Sequence, residues 1–144
     1  MSDNTSTSIT CLERDVDRIL ATLRTESRPD DREIVEPGIV KLYFEELNYG
    51  GYCEMEEMHK AGLVFYGAHD SGSCYTAGVF CCDGKTLVQC NSDSDRDGPV
   101  ATVRQDGTIS KADARVAKRY WRVLKRAKEK LKAMAAEDTK ARSP

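Results

Sequence analysis

The chain has 144 residues, of which 40% are hydrophobic and 32% charged, a composition typical of one globular domain. Its longest apolar runs are far too short to span a bilayer, which excludes a membrane-spanning chain. The formal net charge of −2 is unevenly distributed, because residues 1–110 carry 10 basic and 20 acidic residues whereas residues 111–144 carry 12 and 4. The sequence therefore predicts an acidic body joined to a basic C-terminal segment.

The polar start "MSDNTSTSIT" has no apolar core of a signal peptide, so we expect a cytoplasmic protein. Its six cysteines are then expected to be reduced and to serve mainly as small buried residues.

The N-terminal half predicts helices. Residues 1–8 are expected to be disordered, and Thr10 with Glu13 has the spacing of a capping box. A helix is predicted over 11–25 from the helical spacing of its apolar residues, which are Leu12, Val16, Ile19, Leu20 and Leu23. The proline-containing segment after it is expected to be a loop. Residues 39–47 suit either a helix or a strand, and "NYGG" after them favours a helix. The segment "CEMEEMHKAG" predicts a separate short helix that ends at Gly62.

From Gly62 the pattern changes to short segments rich in β-forming residues, which turn sequences separate. It predicts an antiparallel meander of three to four strands, with "DG" at 83–84 as a two-residue hairpin turn. Alternation in this hairpin places Ala77, Val79, Cys81, Val88 and Cys90 on one face and Phe80, Cys82 and Leu87 on the other.

The last predicted element is a long amphipathic helix over 111–136. Ser110 and Asp113 have the spacing of a capping box at its start. Its apolar stripe contains Val116, Tyr120, Val123, Leu124, Ala127, Leu131 and Met134. On the opposite face lie seven basic residues, which are Lys111, Arg115, Lys118, Arg119, Arg122, Lys125 and Arg126. Asp113 and Glu129 are the two acids among residues 111–132, too few for pairs within the helix to neutralise this face.

Three partners would suit the basic face: the acidic body itself or an acidic protein, the phosphates of a nucleic acid, or an anionic membrane surface. The membrane is disfavoured, because the apolar stripe suits packing against a core. Nucleic acid is the leading partner on charge grounds, although no helix-turn-helix, zinc-finger, RRM or KH signature is present.

The segment "NSDSDRDGPV" suggests calcium as an alternative ligand. Asp93, Asp95 and Asp97 occupy the first three ligand positions of an EF-hand-like loop. Arg104 stands where the bidentate glutamate is needed, so a full EF-hand is excluded. A looser calcium site would need another acid, with Asp83 and Asp106 as candidates; otherwise the segment is a solvated hairpin loop.

Catalytic and zinc sites have weaker support. The segment "GAHDSGSC" clusters His69, Asp70, Ser71, Ser73 and Cys74, and a Cys–His pair would need Cys74 near His69 or His59. A zinc site could be assembled from Cys53, His59, His69 and Cys74, but no C-x₂-C pair supports it. A polar loop between strands explains the cluster equally well.

Together these patterns predict a single α+β domain over residues 9–136, with residues 137–144 disordered. This domain would consist of N-terminal helices, the meander and a long basic helix packed on the sheet. The predicted function is a non-enzymatic binding or regulatory protein without a cofactor, acting through the basic helix on nucleic acid. The alternatives are a protein-interaction or inhibitor-type module that uses the acidic body, and a calcium-binding module.

Overall fold

The computed structural model describes residues 4–23, 28–48, 51–72, 75–93 and 95–142. Its elements, in chain order, are β1 (Asn4–Leu12), a 3-10 turn (Glu13–Asp15), α1 (Val16–Thr22), β2 (Asp31–Glu36), β3 (Ile39–Asn48), α2 (Tyr52–Lys60), β4 (Val64–His69), β5 (Gly78–Asp83), β6 (Leu87–Asn91) and α3 (Lys111–Arg142).

The strands form one antiparallel sheet in the order β2-β3-β1-β4-β5-β6, and helices cover both of its faces. On one side, α1 and α2 pack on a core that includes Ile9, Phe65 and Phe80; we call this side the α2 face. On the other side, the α3 face, α3 packs on Leu12, Val79 and neighbouring residues. The predicted α+β class with a long C-terminal helix on the sheet is confirmed.

The prediction for the N-terminus is wrong, because residues 4–12 form β1 in the middle of the sheet. β1 pairs with β3 on one side and with β4 on the other, and Thr5 and Thr7 are buried. The hydrogen bonds that β1 makes with β3 and β4 stabilise a strand more than the capping-box residues Thr10 and Glu13 stabilise a helix. The helical pattern applies only from Val16, and residues 24–25 of the predicted helix lie outside the described residues.

Residues 31–48 form a hairpin rather than the predicted loop and helix. Pro37 and Gly38 make its turn, where Gly38 has a φ of 85° that favours glycine. In β3 the alternating residues Val40, Leu42 and Phe44 all enter the core of the α2 face. The β-branched and aromatic residues of this segment therefore pack as a strand, and the sheet has six strands instead of three to four.

The β5–β6 hairpin has the predicted faces and a two-residue turn that is shifted by one position. Cys82 pairs with Leu87, and the Asp83 backbone N–H donates to the Thr86 carbonyl at 3.2 Å, so the turn is centred on residues 84–85 rather than 83–84. The strand pairing thus shifts by two residues, which leaves every side chain on its predicted face, and both faces are part of the core. Beyond β6, the predicted fourth strand is reduced to isolated bridges at Ser92–Pro99 and Val103–Ile109.

The predicted C-terminal helix, α3, extends farther toward the C-terminus than expected. It continues to Arg142, so residues 137–142, expected to be disordered, are helical. In this extension Asp138 accepts a hydrogen bond from Arg14 at 2.9 Å, which joins the end of α3 to the 3-10 turn before α1. The predicted short helix that ends near Gly62 is α2.

Candidate functional site

The beginning of α3 is held by its predicted cap. The backbone N–H of Asp113 donates to Ser110 Oγ at 3.3 Å, which satisfies one of the free donors at the helix start. The Asp113 carboxylate accepts from the backbone N–H of Thr102 at 2.8 Å, and this hydrogen bond holds the pKa of Asp113 below its usual value. The helix start is therefore tied to the loop that precedes it.

The apolar stripe of α3 meets the sheet only from Tyr120 onward. Tyr120, Val123 and Leu124 are buried against β5 and β6, whereas Val116 is 44% exposed. Farther along, Ala127 and Leu131 pack against Leu12 and its neighbours. The face of α3 opposite to these residues points to solvent along its whole length.

Six of the seven predicted basic residues form an exposed surface without ion-pair partners. Among the described residues, no carboxylate lies within 4.0 Å of their charged groups. We call this set the basic surface; it consists of Lys111, Arg115, Lys118, Arg119, Arg122 and Lys125. From Lys111 to Lys125 it extends over about 21 Å at ~1.5 Å per residue.

The seventh residue, Arg126, begins a part of α3 that pairs with the body. Its guanidinium lies 3.7 Å from Asp83 Oδ2, and Lys130 Nζ donates to the backbone carbonyl of Asp83 at 2.6 Å. Lys132 Nζ lies 3.9 Å from Glu36 Oε1, and Lys128 lies over the Tyr66 ring at 5.4 Å. The acidic body therefore neutralises the middle of α3 and leaves the basic surface to solvent.

Trp121 lies at the border of the basic surface and is 51% exposed. Its ring contacts the Tyr120 ring edge-on, with centroids 5.1 Å apart. It also lies against Gly98, where a Cβ atom would approach the tryptophan Cζ2 to 2.6 Å. Trp121 therefore adds an exposed aromatic ring at the edge of the basic surface.

Asp93, the first aspartate of the predicted calcium loop, stabilises a turn. Asp93 Oδ1 accepts from the backbone N–H of Arg96 at 2.9 Å, and Arg96 adopts a φ of 59°. The Arg96 side chain then pairs with Asp70 at 2.8 Å, which ties this loop to the end of β4. Within the described ranges, no three carboxylate, imidazole or thiol groups lie close enough together to hold a metal ion.

The two acids that could have completed a calcium site have other partners. Asp83 accepts from the backbone N–H groups of Lys85 and Thr86, at 3.0 and 2.7 Å, in the β5–β6 turn. Asp106 accepts from the backbone and side chain of Thr108. Their hydrogen bonds therefore serve local turns, and we propose no calcium site at Asp93, Asp95 and Asp97.

The two histidines lie at opposite ends of β5. His59 Nε2 contacts the carbonyl of Lys85 at 2.7 Å, beyond the C-terminal end of the strand. His69 lies against Gly78, at its N-terminal end, so the two rings are roughly 20 Å apart at ~3.3 Å per residue. The hypothesis of a single four-ligand zinc site that includes both histidines is therefore wrong. Ser73 and Cys74 lie outside the described residues.

Most described thiols are poor nucleophiles near neutral pH. Burial raises the pKa of Cys11 and of Cys81 to about 12 and that of Cys90 to about 11. Burial also raises the pKa of Cys82. Since the thiolate is the reactive form, these four side chains act as apolar packing groups. Cys53 differs, because it is exposed in the first turn of α2.

A cavity of about 420 Å³ lies on the α2 face at the ends of β4, β5 and β6. It is lined by Cys53, Met55, His69, Tyr75, Thr76, Val79, Phe80, Gln89, Cys90 and Asn91. Cys53 and His69, two of the predicted zinc-ligand candidates, both line this cavity, which local sequence patterns do not predict. Residues from α2, β4, β5, β6 and their flanking segments form it. The sequence feature that could have indicated the cavity is Gly78, which makes room for the His69 ring.

No family model matches the chain, and no curated protein or solved structure shows significant similarity to it. Among the described residues, no helix is sufficiently long and apolar to cross a bilayer.

Proposed function

We propose that this protein is a non-enzymatic binding protein that contacts nucleic acid through the basic surface of α3. The observation that carries the proposal is the contrast within one helix. Arg126, Lys130 and Lys132 engage acceptors on the body, whereas the six residues of the basic surface have no acidic partner among the described residues. Unpaired cations on one face gain the most from phosphate, because binding releases the counterions that phosphate holds.

The shape of the surface suits an extended polyanion. It is one face of a helix with six positive charges, and Asp113, the acid in the same stretch of α3, already accepts a hydrogen bond from Thr102. The Trp121 ring contacts Gly98, so the Asp-rich loop that precedes Gly98 lies on the Trp121 side of α3. We therefore expect the phosphates to follow Arg115, Arg119 and Arg122, which lie about 100–160° around the helix from Trp121 at ~100° per residue.

The direct test is binding of a labelled DNA or RNA oligonucleotide, measured by fluorescence anisotropy as a function of salt. We expect the logarithm of affinity to fall linearly with the logarithm of salt, with a slope of about −0.7 to −0.9 per phosphate contacted. The combined charge reversal of Arg115, Arg119 and Arg122 to Glu should abolish binding.

A matched control reverses three exposed basic residues elsewhere, namely Arg28, Lys60 and Lys85 to Glu. It changes the net charge equally, so it should retain most of the binding. Equal loss in both triple variants would mean that net charge alone governs the interaction and would overturn the assignment of the surface. Retention on heparin without oligonucleotide binding would favour an acidic protein partner instead.

The protein's single tryptophan provides a second measurement. Unpaired bases that stack on Trp121 should quench its fluorescence, and such stacking contributes about 1–3 kcal/mol per base. Trp121→Ala should then weaken binding of single strands without changing the salt slope. An unchanged affinity would show that bases do not contact this ring.

A further inference from the structure

The cavity on the α2 face has the construction of a small-molecule site. Its volume of about 420 Å³ falls within the ~300–1,000 Å³ typical of ligand pockets. Met55 and Phe80 make an apolar floor, and Tyr75 borders the opening beside His69, with ring centroids 5.5 Å apart. Flat aromatic molecules pack well against such a combination of rings and a thioether.

The hydrogen bond of His69 determines what its free nitrogen can do. Nδ1 lies 2.9 Å from the backbone carbonyl of Asp70, and a carbonyl oxygen only accepts, so Nδ1 carries the proton. In the neutral ring Nε2 is then an acceptor. No described residue donates a hydrogen bond to it.

Gly78 makes room for the His69 ring, which lines the cavity. A Cβ atom at position 78 would lie 2.5 Å from His69 Nε2, so any side chain there would displace the ring. The neighbouring residue, Asp70, is held by the backbone carbonyl of Ser6 at 2.9 Å and by the Arg96 ion pair at 2.8 Å. The carbonyl that sets the tautomer is therefore fixed from two sides.

We propose that this cavity binds a flat, mainly apolar aromatic molecule that carries one N–H or O–H donor, which His69 Nε2 accepts. The site is independent of the basic surface, because the cavity lies on the α2 face and α3 covers the other face.

The test compares indole with 1-methylindole, which has nearly the same shape but no N–H donor, by two-dimensional amide NMR titration. A ligand of nine heavy atoms should bind with a dissociation constant in the millimolar to submillimolar range. Shifts caused by indole should centre on the lining residues. Loss of the donor should weaken binding about tenfold, the scale of one unmade hydrogen bond.

Three variants make the test specific. Cys53→Trp should fill the cavity mouth and abolish the indole shifts, whereas Lys60→Trp, on the same helix but outside the lining, should retain them. His69→Phe keeps a ring but removes the acceptor, so the two probes should bind it equally.

Equal binding of both probes to the unmodified protein would overturn the donor–acceptor assignment. Absent shifts, shifts away from the lining, or shifts that survive Cys53→Trp would overturn the site itself. Since Cys53 is exposed, this variant keeps the test decisive even where His69→Phe fails to fold.

Discussion

Asp83 is the residue at which the body and the basic helix meet. Its side chain is 4% exposed, and its carboxylate accepts two backbone N–H groups while facing Arg126. Burial alone would raise the pKa of Asp83, but the hydrogen bonds from Thr86 and Lys85, with the charges of Lys130 and Arg126, hold it below its usual value. The folded protein therefore favours the ionised form.

This lowered pKa predicts a pH-dependent loss of stability. Asp83→Ala should lower the free energy of unfolding by about 1–3 kcal/mol, because it leaves two N–H groups without their acceptor. Asp83→Asn should cost less, because it keeps an acceptor and loses only the charge. Its cost should be present above about pH 4 and should disappear as the pH falls through the folded-state pKa.

Urea unfolding between about pH 6 and pH 3 measures this effect, with Asp95→Asn as an exposed control. A cost of Asp83→Asn that is the same at both ends of this range would contradict the assigned role of the charge.

At the scale of elements, β1 contributes more than its sequence indicates. It is polar and rich in threonine and serine, yet it pairs with β3 and β4 and separates the two halves of the sheet. The N-terminal residues are thus part of the core, whereas the last turn of α3 contributes mainly one partly exposed ion pair, Arg14–Asp138.

Two truncations of equal length test this difference. Deletion of residues 1–8 should remove several kcal/mol of the ~5–15 kcal/mol that stabilises a typical domain, because half of the central strand is lost. Deletion of residues 137–144 should cost about 1 kcal/mol or less, since partly exposed ion pairs contribute little. Thermal unfolding followed by circular dichroism measures both; equal stability of the two truncations would contradict the central role of β1.

At the scale of the whole molecule, a sheet separates the two proposed binding surfaces. No described residue that lines the cavity belongs to α3, although two of them, Val79 and Cys90, also pack in the cluster under α3. A ligand in the cavity therefore contacts neither α3 nor anything bound to it.

We accordingly expect no energetic coupling between the two surfaces. Oligonucleotide affinity should change less than about twofold when the cavity is saturated with indole or filled by Cys53→Trp. Neither indole nor the new tryptophan contacts the basic surface, so neither should alter its interaction with phosphate. Anisotropy titrations with and without indole measure this. A tenfold change would reveal coupling through β5 and would contradict independence.

Local signals were sufficient to predict α3, α2 and the hairpin faces. Ser110 caps α3 as its sequence indicates, and Val79 and Phe80 occupy their predicted faces even though the hairpin turn is shifted by one residue. Prediction failed where contacts with distant parts of the chain determine the local structure. β1 and β3 contain plausible helical spacings, but pairing with distant strands decides their structure. The cavity was missed for the same reason, since α2 and three strands converge on it.

By itself, the sequence determined that this protein has an acidic body, a long amphipathic helix and basic residues on one face of that helix. Composition and helical period are properties of neighbouring residues, so no other part of the chain is needed to establish them. Only the tertiary structure decided which of these charges are neutralised. That outcome depends on where Asp83 and Glu36 lie relative to α3, because charge pairing requires atoms a few ångströms apart.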